Sequence, residues 1–367
     1  MTVSPMSPHP ASQSVKRRAL SVANRLGIKV IPQLPTSIKR LLSGGRAITI
    51  DGNTLDPSIQ LLLASQRVTG VDSLVVHDDA VQTRAVHSAL TEVLSDRNIH
   101  VAEVRSISIP GPAGTIGARH YRPLAATGSE PLLVYYHGGG FVFGDLNSYD
   151  AACRLICRDA GIQVLAVDYR LAPEHPAPAA VDDAYVAYRW AREQAAELGA
   201  DPRLVAVGGD SAGGNLAAVV SRLARDNGDP LPALQWLIYP VTEFGSASRS
   251  RSLFSTGFLL TAGDMAYFEK AYLSGSGLTS ADPLVSPLLA ADLSGLPPTL
   301  LITAGFDPLR DEGEDYGERL RSAGVAVDHR RMSSMTHAFI NLEVLGGGVA
   351  TANAEMISAL RAHLVHR

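Results

Sequence analysis

A serine hydroxyl is a weak nucleophile at neutral pH. It attacks a carbonyl only when a base takes its proton and donors receive the charge developing on the carbonyl oxygen. Ser211 is placed for that chemistry, at the centre of a GxSxG pentapeptide within LVAVGGDSAGGN, residues 204–215. The apolar run Leu204 to Val207 reads as a buried strand, Gly208 and Gly209 break it, and from Asn215 the pattern LAAVVSRLARD turns helical. That is the strand–turn–helix setting the motif requires, with small neighbours at Gly209 and Gly213 because the turn is too tight for side chains. A chance match or a phosphate-cradling turn fits less well. A Walker loop would place Lys and then Ser or Thr after its last glycine, and a dinucleotide fingerprint would open its domain with GxGxxG.

The strand LLVYYH ends at His137 and runs into Gly138, Gly139, Gly140 and Phe141. Three consecutive glycines let backbone N–H groups approach a ligand, which suits an oxyanion hole whose second donor is the residue after the nucleophile, Ala212. The base should lie downstream of the serine, after the acid. Of eleven histidines only His329, His337, His363 and His366 do so. His329 falls inside the last expected strand and His363 and His366 in the terminal helix. His337 lies in the loop MSSMTHAF directly after that strand and is the candidate base. The candidate acid is Asp307, directly after TLLITAGF, where it would orient the imidazole and stabilise its cation. Asp311 competes, but its position suits capping the helix that begins there. His137 and Asp210 read as structural, His137 fixing the glycine loop through side-chain hydrogen bonds. Asp282 and Glu243 receive no role.

The elements that must position these residues alternate. After an antiparallel hairpin formed by VAEVRSISIP and GTIGARHYRP, strands are expected near 132–136, 163–168, 204–208, 234–239, 299–304 and 325–331. Helices are expected near 147–160, 178–198, 212–226, 311–323 and 350–365. This is an α/β pattern, a mostly parallel eight-stranded sheet flanked by helices. Two helices, DPSIQLLLASQR and DDAVQTRAVHSALTEVL, precede it, the first opened by Asp56 and Pro57. Almost sixty residues separate the strand ending at Pro240 from the one starting near Thr299, with Phe254, Phe258, Leu259, Tyr267, Phe268 and Tyr272 among them. A loop of that length is usually a functional insertion. The expected organisation is therefore a basic segment with cap helices over 1–100, a catalytic domain over 101–240 and 285–367, and a cap insertion over 241–284.

With 367 residues and 46% hydrophobic composition the chain buries an ample core, and a net charge of −4 gives no reason to expect nucleic acid as a partner. The first fifty residues hold eight Lys and Arg and no acid, so they carry +8 against −12 for the remainder. The stretches VKRRALSVANRLGIKV and TSIKRLL alternate basic and apolar residues at helical spacing. A helix packed on the domain is the plainer reading, and contact with an anionic lipid surface the sharper one. Residues 1–14, rich in Ser and Pro, read as a disordered lead. Cys153 and Cys157 share one helical face and read as reduced, partly buried thiols, which suits the cytoplasm. No signal peptide and no spanning helix is expected.

In order, HGGGF, DYRLAPEHPAPAA, GDSAGGN, DPLVSPL, FDPLRDEG and THAF resemble the hormone-sensitive-lipase family of bacterial esterases, and look most like its actinobacterial members. The resemblance covers residues 100–367 motif by motif. It implies an α/β-hydrolase fold with a helical cap, no cofactor and no metal, and hydrolysis of carboxylic esters of short to medium chain length through an acyl-enzyme. Carried over by residue, it makes Ser211 the nucleophile, Asp307 the acid and His337 the base. Gly139, Gly140 and Ala212 become oxyanion donors, with Gly138 supporting their loop. It also makes a homodimer through an exposed last strand plausible. An amidase or other acyl hydrolase with the same triad, or a catalytically silent small-molecule receptor, are the alternatives. Two positions depart from the family: Ala338 stands where Gly usually follows the histidine, and Phe141 where the loop often has Trp. Both should tune activity rather than abolish it.

Overall fold

A computed structural model of the chain describes residues 30–70, 73–75, 79–94, 99–125 and 129–365. The lead, the first basic stretch and His366 lie outside these residues. The hairpin is present as β1 (Glu103–Gly111) and β2 (Gly114–Arg122), followed by β3 (Glu130–Tyr136), β4 (Gln163–Asp168), β5 (Ala200–Asp210), β6 (Gln235–Ile238), β7 (Thr299–Phe306) and β8 (Val327–Thr336). They form one eight-stranded sheet in the order β1-β2-β4-β3-β5-β6-β7-β8. The pairs β1/β2 and β2/β4 are antiparallel and all other neighbours are parallel. Strands β3, β6 and β7 are buried along their whole length, as apolar runs covered on both faces should be, whereas the outer strands β1 and β8 are half exposed.

The helices are α1 (Thr36–Leu42), α2 (Pro57–Thr69), α3 (Ala80–Leu94), α4 (Asp150–Ala160), α5 (Ala179–Glu193), α6 (Ala212–Asp226), α7 (Arg249–Leu253), α8 (Ala262–Leu273), α9 (Arg310–Ser322) and α10 (Gly347–Val365). Alternation along each strand divides the core. Leu132, Val134 and Tyr136 meet α5 and α6, while Leu133 and Tyr135 meet α4 and α10. Asp56 caps α2 as expected, its Oδ1 accepting from Ser58 N at 2.7 Å and Ile59 N at 3.2 Å.

Several expectations shift. Helix α5 stops at Glu193, β5 is longer at both ends, and β8 continues to Thr336 with an irregular register between Met332 and Thr336. Cys153 and Cys157 are fully rather than partly buried, because α4 is covered by α10. Burial pushes both thiols up, Cys157 to about 12, so both stay protonated. The insertion after β6 splits its aromatic residues between two jobs. Phe268 and Tyr272 lie against the loop after β3, whereas Phe254 and Phe258 pack on Phe306 at the end of β7, each ring 5.7 Å from it.

Candidate active site

The turn between β5 and α6 is wound tightly enough to place Ser211 at φ 56° and ψ −116°, a region that costs an L-residue backbone strain. Neighbouring backbone holds it there: Ser211 N donates to Ile238 O at 2.9 Å, and Asn215 N and Val241 N donate to Ser211 O at 3.1 and 3.2 Å. Glycine is obligatory at position 213, where a Cβ would lie 1.8 Å from Tyr136 O, because the first turn of α6 is pressed against the end of β3.

The three residues expected to act together meet around this turn. Asp307 Oδ2 is 2.7 Å from His337 Nδ1, and His337 Nε2 is 3.0 Å from Ser211 Oγ. Asp307 is fully buried and His337 and Ser211 are 3% and 7% exposed. The other Asp307 oxygen accepts from Leu309 N at 2.9 Å, which fixes the carboxylate plane. A carboxylate can only accept, so Nδ1 carries the imidazole proton and Nε2 is left to accept from the serine. The Tyr239 ring packs 4.7 Å from the imidazole. Ala338 adopts φ 62° and ψ 17°, the left-handed conformation that glycine takes at no cost.

The remaining candidates lie elsewhere. His329 Nε2 bonds Thr303 Oγ1 at 2.8 Å, and His363 Nε2 approaches Asp328 Oδ2 at 3.1 Å. Asp311 does not cap α9. It sits inside the first turn, its Oδ2 accepting from Ser250 N at 2.7 Å and its Oδ1 from Arg310 Nε at 2.8 Å, so it anchors α7 instead.

The glycine loop of residues 138–144 faces Ser211. Among the described residues no acceptor takes the N–H of Gly139, Gly140 or Ala212. Gly138 differs from the other two glycines. Its N–H is already taken by Asp210 Oδ1 at 2.8 Å, so it is not a donor to a ligand, and its place in the site is to fix the loop. Asp210 is buried and also accepts from Tyr135 at 2.9 Å and Tyr149 at 3.1 Å. Burial pushes its carboxyl up and the two phenol donors pull it back. Its structural reading was available from the sequence, but its partners were not, since they come from β3 and the start of α4.

His137 holds the loop as expected, its Nδ1–H donating to Gly138 O at 2.7 Å while Tyr169 donates to His137 O at 2.7 Å. Burial pushes this imidazole down to about 4, so it is neutral across the range in which a histidine base works.

A cavity of about 1590 Å³ opens over the serine, walled by Phe244, Leu260, Met265 and Phe268 on one side and Ile31, Leu61, Leu62 and Leu342 on the other. Among the described residues no cluster of His, Cys, Asp or Glu is arranged to hold a metal ion, and no helix is long and apolar enough to cross a membrane. Chemically, the arrangement can pass a proton from Ser211 to His337 beside three free amides.

A profile of the alpha/beta hydrolase fold matches residues 133–341. The chain is 58% identical over 353 residues to the carboxylic ester hydrolase LipN of Mycobacterium tuberculosis, covering 95% of this chain and 93% of that protein. It is 37% identical over 315 residues to the carboxylesterase NlhH of the same organism, covering 85% and 97%. Among solved structures it matches an ester hydrolase from the metagenome of Lake Arreo, complexed with a bipyridine phosphonate derivative. That match has a TM-score of 0.79 at 40% identity, over 84% of this chain and 99% of that one. The esterase of Pyrobaculum calidifontis matches with a TM-score of 0.77 at 39% identity, over 84% and 98%.

Proposed function

For a chain that belongs to the α/β hydrolase fold family, in its hormone-sensitive-lipase-like branch, and is a carboxylic ester hydrolase, we propose a mechanism through Ser211, His337 and Asp307 with an acyl-enzyme intermediate. The observation that carries this is the unbroken hydrogen-bonded path from buried Asp307 through His337 to Ser211, 2.7 and 3.0 Å long, which ends at the cavity.

His337 Nε2 takes the hydroxyl proton as Ser211 Oγ bonds to the ester carbon. The carbonyl π pair moves onto its oxygen, where the amides of Gly139, Gly140 and Ala212 receive it at the start of α6, whose dipole also favours negative charge. The pair returns, the C–O bond to the alcohol breaks, and His337 delivers the proton to the departing oxygen. Water then repeats the cycle on the acyl-enzyme and frees the acid. Asp307 keeps the imidazole in the required tautomer and stabilises its cation.

The substrate is a small-molecule ester of short to medium chain length. The helices within 1–100, which follow the N-terminal basic segment, and the insertion 241–284 act as the cap over a catalytic unit of 101–240 and 285–367. Work in the cytoplasm is consistent with the two buried free thiols. The basic first fifty residues support a peripheral contact with anionic lipid, which vesicle co-sedimentation with and without residues 1–50 tests. The half-exposed outer strand β8 supports a homodimer, which sedimentation tests.

The decisive experiment is hydrolysis of p-nitrophenyl esters from acetate to palmitate by the wild type and by Ser211→Ala. A rate maximum at short to medium chains, with at least a ~10⁴-fold loss in the variant, is expected. A folded wild type inactive on every ester would sink the reading.

A further inference from the structure

Gly139, Gly140 and Phe141 have φ of 113°, 60° and 62°, so the loop's own backbone preferences do little to hold it. On the sheet side Asp210 takes the Gly138 amide. On the outer side the loop is held by a residue of α3. Arg84 Nε donates to Val142 O at 2.7 Å, and its Nη2 donates to Ala172 O at 2.8 Å. Ala172 N in turn donates to Phe141 O at 2.8 Å, so the three segments close a ring of contacts. Glu174 accepts from both Nη atoms at 2.7 Å each, which fixes the plane of the fork. One turn along α3, the His87 ring lies flat on Phe143, with centroids 3.7 Å apart and an interplanar angle of 6°.

With four of its five N–H groups engaged and its charge matched by a bidentate carboxylate, this guanidinium is not free to hold a substrate anion. We propose that Arg84 is a positioning residue for ester hydrolysis, locking the outer edge of the glycine loop so that the Gly139 and Gly140 amides stay aimed at the oxyanion. Helix α3 is then part of the catalytic geometry as well as a wall of the cavity. The inference rests on the reading of that loop as the oxyanion hole.

The test compares Arg84→Ala, Arg84→Lys and Glu174→Gln with the wild type, using p-nitrophenyl butyrate hydrolysis and inhibition by an alkyl trifluoromethyl ketone, which forms a tetrahedral adduct on the serine. Arg84→Ala should lower kcat about tenfold or more with KM within about twofold. The inhibitor should weaken by the same factor as kcat/KM. Arg84→Lys should recover only part, because one ammonium reaches Val142 O or Glu174 and does not span both. Glu174→Gln keeps Arg84 but frees its plane, and should show a smaller loss of the same kind. It carries the test if Arg84→Ala does not fold. A change confined to KM or to melting temperature, with kcat and inhibitor affinity kept, overturns the proposal. A folded wild type without activity would remove the reading of the loop itself, whereas an active wild type matched by Arg84→Ala removes only this inference.

Discussion

The elbow at Ser211 and the glycine loop at 138–144 face each other across one cavity, and both place residues at positive φ, yet they are held in opposite ways. The elbow is held by backbone: Ser211 N and O bond to groups next door in the sheet and in α6, and Tyr136 O presses on Gly213. The loop makes its own backbone turn, with Val142 N and Phe143 N donating to Gly139 O, and its place is then set largely by side chains reaching in from distant segments, Asp210 and Tyr169 from strand ends and Arg84 from α3. One cavity therefore joins a turn fixed by the sheet to a loop that leans on distant side chains. Strain at the elbow is enforced by the sheet, while the loop adds side-chain supports to its own backbone turn and the single backbone bond from Ala172 N to Phe141 O.

The comparison breaks first at the glycines. Gly213→Ala should yield no soluble folded enzyme, because the methyl meets immovable β3 backbone at 1.8 Å; expression and circular dichroism check this. Gly140→Ala meets the Phe268 ring at 2.3 Å, a side chain that can move, so the protein should fold while kcat falls about a hundredfold. If both variants folded and lost activity equally, the distinction between the two regions would be wrong.

Asp210→Asn removes the charged acceptor beneath the loop and should lower kcat about tenfold with Ser211 still labelled by a fluorophosphonate. Labelling that fails as well would mean that Asp210 supports the elbow too.

Acid should loosen the loop side first. The folded His137 lies below its ordinary value, so the unfolded state binds more protons between about pH 6.5 and 4 and stability falls as pH drops through that window. Burial lowers His87 and His120 in the same direction. A melting temperature that declines from pH 7 to 4, with a shallower slope in His137→Asn, is the expected result. An unchanged slope would show that His137 contributes nothing.

The smallest effect concerns Ala338, beside His337. Glycine there relieves a left-handed alanine at the expense of a freer unfolded chain, for a net gain of roughly 0.5–1 kcal/mol. Calorimetry should show a melting temperature higher by a degree or two, about what that gain implies for a chain of this length. A lower one would mean that the Ala338 methyl packs usefully.

Much of this was legible in one dimension. The GxSxG turn, the glycine run after β3 and the order serine, acid, histidine are short patterns, and Asp307 directly follows a strand that hydrophobic pattern identifies, whereas the pattern ended the strand before His337 five residues early. The Asp311 cap failed because a local rule met a distant partner, Ser250 N, that offered it a bond elsewhere. That Gly138 supports the loop was an expectation, but its partner, Asp210, 72 positions away, was not legible in the sequence.

The division follows the range of the forces. Periodicity and turn chemistry act over a few residues, and these determined most of the strands and helices, the elbow, and the positions of Ser211, Asp307 and His337 at the ends of strands. The strand order, the burial of Asp210 among tyrosines and the grip of Arg84 on residues 58 and 88 positions away were decided only when the folded core brought those segments together. No local preference of the chain encodes contacts at such separations.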